Sequence, residues 1–158
     1  MERQDKNRIR KYLWHWGRCD KIIQSLTVQM RFVADRMNDL YVVGHSPSLD
    51  GMPRSTATSD PVIREFERIE EARKNFQTEM DACEHELLET QRFKAAMNDI
   101  IKSLSGLEQD IIRMRYKDGH TWIYVAAKCG ISEKTAYNRE ERALEVLDRM
   151  IVQGAVTL

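Results

Sequence analysis

The sequence predicts an all-α protein: a long N-terminal antiparallel helical hairpin of coiled-coil type, followed by a C-terminal tri-helical helix-turn-helix domain. Three observations lead there. Only three Pro and seven Gly occur in 158 residues, Leu, Glu, Lys, Arg, Met and Ala are plentiful, and no alternating apolar run is long enough for a sheet. A heptad of apolar residues spans positions 9–40. Near the other end, two glycine corners are each followed closely by a hydroxyl residue where a helix begins.

The first helix is expected from Ile9 to Leu40. Ile9, Trp16, Ile23, Met30 and Met37 lie seven apart, and Tyr12, Cys19, Leu26, Val33 and Leu40 repeat the series three residues later. Side chains returning every 3.5 residues stay on one helical face, so these positions form one seam. At 1.5 Å per residue this helix is roughly 48 Å long. Residues 42–60, VVGHSPSLDGMPRSTATSD, carry two Pro, two Gly and many hydroxyls and are expected to form a loop.

Asp60 before Pro61 starts the second helix. The carboxylate can accept from free backbone N–H groups, and proline at the first helical position lacks only a donor that would have no intrahelical partner. Its seam comprises Val62, Phe66, Ile69, Phe76, Met80, Cys83, Leu87, Met97, Ile101 and Leu104, interrupted by Arg73, Thr90 and Lys94. The break between Leu87 and Met97 is expected to mark a bend or the end of the partner helix. Two amphipathic helices joined by a loop fold back on one another, and so thin a layer has little interior, so a homodimer through the long helices is expected. The domains are then 1–104, the hairpin and oligomerisation region, and 105–158.

Ser105 or Gly106 ends the long-helix region, and Leu107, Ile111, Ile112 and Met114 or Arg115 place a helix of about ten residues next. Asp118-Gly119 stops it, because glycine takes positive φ without steric conflict. Thr121 caps the short helix WIYVAAKC, Gly130 turns the chain, and Ser132 caps a third helix with Glu133 in its first turn. A short helix, a tight glycine turn and a second helix make a helix-turn-helix. Ala126 or Ala127 is the small residue where the helices cross, and Ile131 the buried hinge.

In the last helix Ala136, Ala143, Leu144 and Leu147 form the inward stripe, with Lys134, Thr135, Asn138 and Arg142 outward and Tyr137 and Arg139 on the borders. Arginine can grip guanine through two bonds, asparagine can do the same to adenine, threonine can meet a thymine methyl, and lysine or tyrosine can hold phosphate. The candidate contacts to double-stranded DNA are therefore Thr121, Ser132, Lys134, Thr135, Tyr137, Asn138, Arg139 and Arg142.

The stretch LEQDIIRMRYKDGHTWIYVAAKCGISEKTAYNREERALEVL resembles the fourth region of bacterial sigma factors, in which the same order of helices and a Gly-Ile-Ser turn binds the upstream promoter element. Upstream, LDGMPRSTATSDP after a charged helix is similar to small phage and prophage regulators of Firmicutes, the ArpU and RinA-like group, whose C-terminal part is sigma-like. The resemblance implies a late-gene or prophage transcriptional regulator, with RNA polymerase as a possible partner. Nothing resembles the sigma region that melts promoters. In YLWHW, Tyr12 and Trp16 sit on the heptad seam and are expected in the core.

Charge limits the partners. With 25 Lys and Arg against 25 Asp and Glu, the whole surface is not a polyelectrolyte partner, so a nucleic acid must be met by a local patch. From Arg113 to Arg149 eight basic residues face eight acidic ones between Glu108 and Asp148, which is poor for non-specific affinity unless the signs segregate between faces. The basic run Arg3, Lys6, Arg8, Arg10 and Lys11 reads first as a solvated helix end and second as an additional DNA patch.

Three widely spaced cysteines without a CxxC pair argue against a disulfide framework or zinc knot and for a reducing compartment. No signal-peptide pattern or apolar run of about 18 residues occurs, so a cytoplasmic protein, nucleoid-associated when on DNA and without a membrane partner, is expected. Neither cofactor nor metal is expected, and no constellation suggests an enzyme. Two alternatives use the same motif: a small-terminase-type DNA-packaging component, whose long helices would build a ring, and a module that binds polymerase or a host protein.

Overall fold

The computed structural model describes residues 3–43 and 61–152. Helix α1 runs Arg3–Val43 and α2 runs Pro61–Lys102. They are followed by α3 (Gly106–Ile112), a π-helical turn (Arg113–Lys117), α4 (Trp122–Cys129) and α5 (Glu133–Val152). The fold is all-α, with Pro61 opening α2 as its chemistry dictates. The expected loop falls almost wholly at 44–60, outside the described residues, as does Asp60. Among the described residues no helix is long and apolar enough to cross a membrane.

Two compact units form, one from Met1–Ile23 with Glu89–Leu158, the other from Gln24–Leu88. A division at 104/105 is therefore not what the packing produces. The N-terminal half of α1 and the last turns of α2 share a core with the C-terminal helices: Ile9, Leu13 and Trp16 from α1, Met97, Ile100, Ile101 and Leu104 from the α2 end, Ile112 and Tyr116, and Ala143, Leu144 and Leu147 from α5. The short helices offer too little apolar surface to enclose a core alone, so they close over the ends of the long ones.

Within this unit α1 and α2 run antiparallel. The Trp16 indole N–H donates to Asn98 Oδ1 at 2.9 Å, and one turn on Asp20 pairs with Lys94. Asp20 also holds Lys117 at 3.0 Å, and the hydrogen bonds from Lys94 and then Lys117 lower its carboxyl below the usual range. The heptad holds: none of its ten residues is exposed, and Ile9, Trp16, Cys19, Leu26 and Val33 are buried. The break in the α2 seam produces no interruption. Thr90 is itself buried and Lys94 reaches Asp20, so a polar pair continues the contact within an unbroken helix.

In the other unit the antiparallel order is the same. Gln29 donates to Glu79 at 3.5 Å, and Arg36 lies 4.5 Å from the Phe76 ring centroid. Leu26, Val33 and Cys83 are buried here, whereas Val28, Phe32, Ile63, Phe66 and Leu88 are exposed. Phe66, expected on the seam, points to solvent.

Candidate nucleic-acid interface

The C-terminal helices are held by local chemistry at each corner. Gln109 donates to the Leu104 and Lys102 carbonyls at 2.8 and 3.2 Å, supplying partners to carbonyls that the end of α2 leaves free. The chain then leaves the α-helical register. The Asp118 N–H reaches the Arg113 carbonyl at 3.1 Å, a five-residue step, and Gly119 follows at φ 74°. Thr121 caps α4 by accepting from the Tyr124 N–H at 3.4 Å. Gly130 takes φ 65°, and the Ile131 N–H donates back to Ala126 at 3.0 Å. Ser132 caps α5, accepting from the Thr135 N–H at 3.1 Å.

The glycine corners and caps fall where the sequence places them. Ala126, not Ala127, is the small residue at the crossing, being buried while its neighbour is exposed. Ile131 is half-buried. The inward stripe of α5, Ala136, Ala143, Leu144 and Leu147, is fully enclosed.

The eight candidate side chains separate into two groups. Lys134, Asn138 and Arg142, four residues apart on one face of α5, are exposed and make no ion pair or side-chain hydrogen bond among the described residues. The others are engaged within the chain. Thr121 and Ser132 serve as caps, and the Thr135 hydroxyl lies 2.8 Å from that of Ser132. Tyr137 packs on Trp122 with ring centroids 4.4 Å apart, although it remains exposed. Arg139 is drawn toward Glu108 at 3.9 Å and is only partly open to solvent, so it is a structural residue of the α3–α5 contact.

Three residues of the basic N-terminal run, Lys6, Arg8 and Arg10, are paired within the chain, whereas Lys11 is exposed. Lys6 lies 3.3 Å from Glu141 and 3.8 Å from Glu145, and Arg8 bonds Asp148 at 2.9 Å. Arg10 grips Glu140 with two bonds, Nε to Oε1 at 3.2 Å and a terminal nitrogen to Oε2 at 3.1 Å. The Tyr116 hydroxyl also donates to Glu140 Oε1. Burial, then the neighbouring Glu140 charge, pushes the Tyr116 phenol above its ordinary value, which keeps it a proton donor.

Glu140 belongs by charge to the eight acids of the C-terminal region, yet it is no surface residue, being 2% exposed. A signal is present in the sequence: it stands four residues after Ala136 and four before Leu144, squarely in the inward stripe. Together these contacts neutralise Glu140, Glu141, Glu145 and Asp148, half of the acidic residues that oppose the basic ones. Glu141 and Glu145 share the outer face of α5 with Lys134, Asn138 and Arg142, standing three and seven residues from them, and Lys134 and Arg142 make no ion pair among the described residues. Pairing with Lys6 of α1 therefore offsets the charge of Glu141 and Glu145 without removing them from this face.

A family model for a protein of unknown function, DUF722, matches residues 62–149, more than half of the chain. The chain belongs to the DUF722 family. The DUF722 match takes in most of α2 and the helix-turn-helix, including the exposed stripe and Glu140, whereas Lys6, Arg8 and Arg10 lie outside it. No curated protein matches the chain, and no solved structure does. Among the described residues no group of three or more His, Cys, Asp or Glu is placed to hold a metal ion. Burial raises the Cys19 and Cys129 thiols above their ordinary value, the opposite of what an activated thiolate requires.

Proposed function

We propose that this chain is a sequence-specific, double-stranded-DNA-binding regulator of transcription, of the phage or prophage kind that it resembles, that inserts α5 of its sigma-like C-terminal part into the major groove. One observation carries the reading: Lys134, Asn138 and Arg142 form a free polar stripe on the second helix of a helix-turn-helix, and Glu141 and Glu145, the acids beside it, are paired with Lys6 of α1. A helix of this kind fits the major groove of B-DNA, where arginine and asparagine discriminate base pairs and lysine holds phosphate. Self-association through Gln24–Leu88 would present two such helices. Its support is the exposed Val28, Phe32, Ile63, Phe66 and Leu88, more large apolar side chains than a short helical pair ordinarily leaves in water.

The test is a binding series on fragments of the source genome. Asn138→Ala with Arg142→Ala should abolish the preference for cognate over random duplex. Lys134→Ala should weaken both alike and reduce the slope of log affinity against log salt by about 0.9. Should all these variants bind the cognate duplex as the parent does, α5 is not the reading helix.

Light scattering addresses the assembly. The parent should be a dimer, and Phe32→Ser with Phe66→Ser should shift it toward monomer. A closed ring of about eight or more subunits would instead favour a DNA-packaging role, and a monomeric parent would remove the paired-helix geometry.

A further inference from the structure

Beside the exposed stripe of α5, α1, the π-helical turn, α4 and α5 line an open cavity of about 320 Å³. Its walls are aromatic. Trp14 of α1 and Trp122 of α4 flank Arg115, whose guanidinium carbon lies 5.5 Å and 5.2 Å from their ring centroids. Tyr137 continues the wall from Trp122, and Tyr116 packs edge-on against Trp14 with centroids 5.1 Å apart. Trp14 and Tyr137 remain 38% and 44% exposed, so two large ring systems stay open to solvent at the mouth.

The charge of the cavity is unbalanced. Arg10 and Glu140, both lining it, cancel through their two-bond pair. Arg115 has no carboxylate partner among the described residues and gives one hydrogen bond, to the His120 carbonyl at 2.9 Å. A guanidinium carries five N–H donors, so most of its capacity is unspent. Flat π faces alone would suit a cationic ligand, but the surplus positive charge opposes one. The complementary ligand is planar, aromatic and anionic.

We infer that this cavity is a nucleotide site, in which a base stacks on the exposed Trp14 and Tyr137 rings at its mouth and a phosphate meets Arg115. Stacking on aromatic side chains accepts any base, and a guanidinium matches phosphate by geometry as well as charge. The nucleotide can be free, or it can be an unpaired unit of a DNA strand; the recognised chemistry is the same. Because Tyr137 and Glu140 belong to α5, an occupied cavity bears on the helix proposed to read DNA, but the inference does not depend on that reading.

Titration of the full chain separates these cases, with tryptophan emission as the readout, since two of its three tryptophans line the cavity. The probes are the four 5′-nucleoside monophosphates, the matching nucleosides and a short single-stranded deoxyoligonucleotide. Saturable quenching by monophosphates, with nucleosides binding at least about tenfold more weakly, is expected from a charge-assisted phosphate contact. Trp14→Leu should weaken the parent's ligand about five- to a hundredfold, and Arg115→Met about tenfold or more, with circular dichroism confirming the fold.

Quenching by the single strand alone, with the same response to both variants, would assign the nucleotide to a strand and not to the free pool. The inference is overturned if neither probe class changes the emission, or if binding survives both substitutions. Duplex binding is followed separately by gel shift, and its success or failure leaves the nucleotide site standing or fallen on the emission data alone.

Discussion

Gly17→Ala is expected to lower the stability of the chain by about 2 kcal/mol or more, against the usual sign for an interior helix position. In an ordinary helix the change is favourable by about 1 kcal/mol, because alanine loses less backbone entropy. Here a Cβ on Gly17 would stand 2.0 Å from the Tyr116 carbonyl oxygen and 2.8 Å from its carbonyl carbon. Both are backbone atoms, so no side-chain rotation relieves the clash. Helix α1 must lift off the π-helical turn, and overpacking of this kind costs about 1–3 kcal/mol, occasionally more, beyond cancelling the propensity gain.

Gly106→Ala is the internal control. Nothing lies within 4 Å of a Cβ there, and the residue opens α3 at an exposed position, so stability should stay within about 0.5 kcal/mol of the parent. Urea unfolding of the two variants measures both. If Gly17→Ala stabilises the chain, the close approach of α1 to the Arg113–Lys117 turn is wrong.

The second large effect belongs to Arg10→Met, for which a loss of about 3 kcal/mol is expected. The substitution keeps the packing stem but leaves Glu140, 2% exposed, with the Tyr116 hydroxyl as its remaining partner. Breaking a buried pair by removing one member strands the other charge in low dielectric. The figure stands toward the lower end of what buried pairs show, because Arg10 is one-third exposed and water can reach the vacated side.

The charge, not the shape, should carry this loss, and Glu140→Gln combined with Arg10→Met tests it. The double variant should be more stable than the sum of the two single effects requires, since no carboxylate is left to strand. Additive losses would mean that the two residues act independently. Lys6 and Arg8 predict the opposite behaviour. Their pairs with Glu141, Glu145 and Asp148 involve mostly open side chains, so removing either should change stability by at most about 1 kcal/mol.

Local rules reach a definite distance in this family member. Glycines 119 and 130, the caps Thr121 and Ser132, and the α5 stripe from Ala136 to Leu147 all follow from chemistry within a few residues, and each stands where that chemistry puts it. The exposed face Lys134, Asn138 and Arg142 follows from the same stripe by subtraction. The π-helical turn does not, because a single inserted residue in a helix leaves no periodic trace over five positions. Arg139 escapes local reasoning for a related cause: a border position can turn to either side, and Glu108 of α3 decides which.

Periodicity and punctuation in the chain are enough to determine an all-α protein, two long seams and a helix-turn-helix, because each depends on neighbours within two or three turns. Only the tertiary structure decided that Arg10, 130 residues away, reaches Glu140, and that Lys6 and Arg8 of α1 pair with Glu141, Glu145 and Asp148 of α5. Charges are written in the sequence, but their partners are not. Pairing across such a distance depends on which core the helices share, and that core comes from apolar surfaces on four segments closing together.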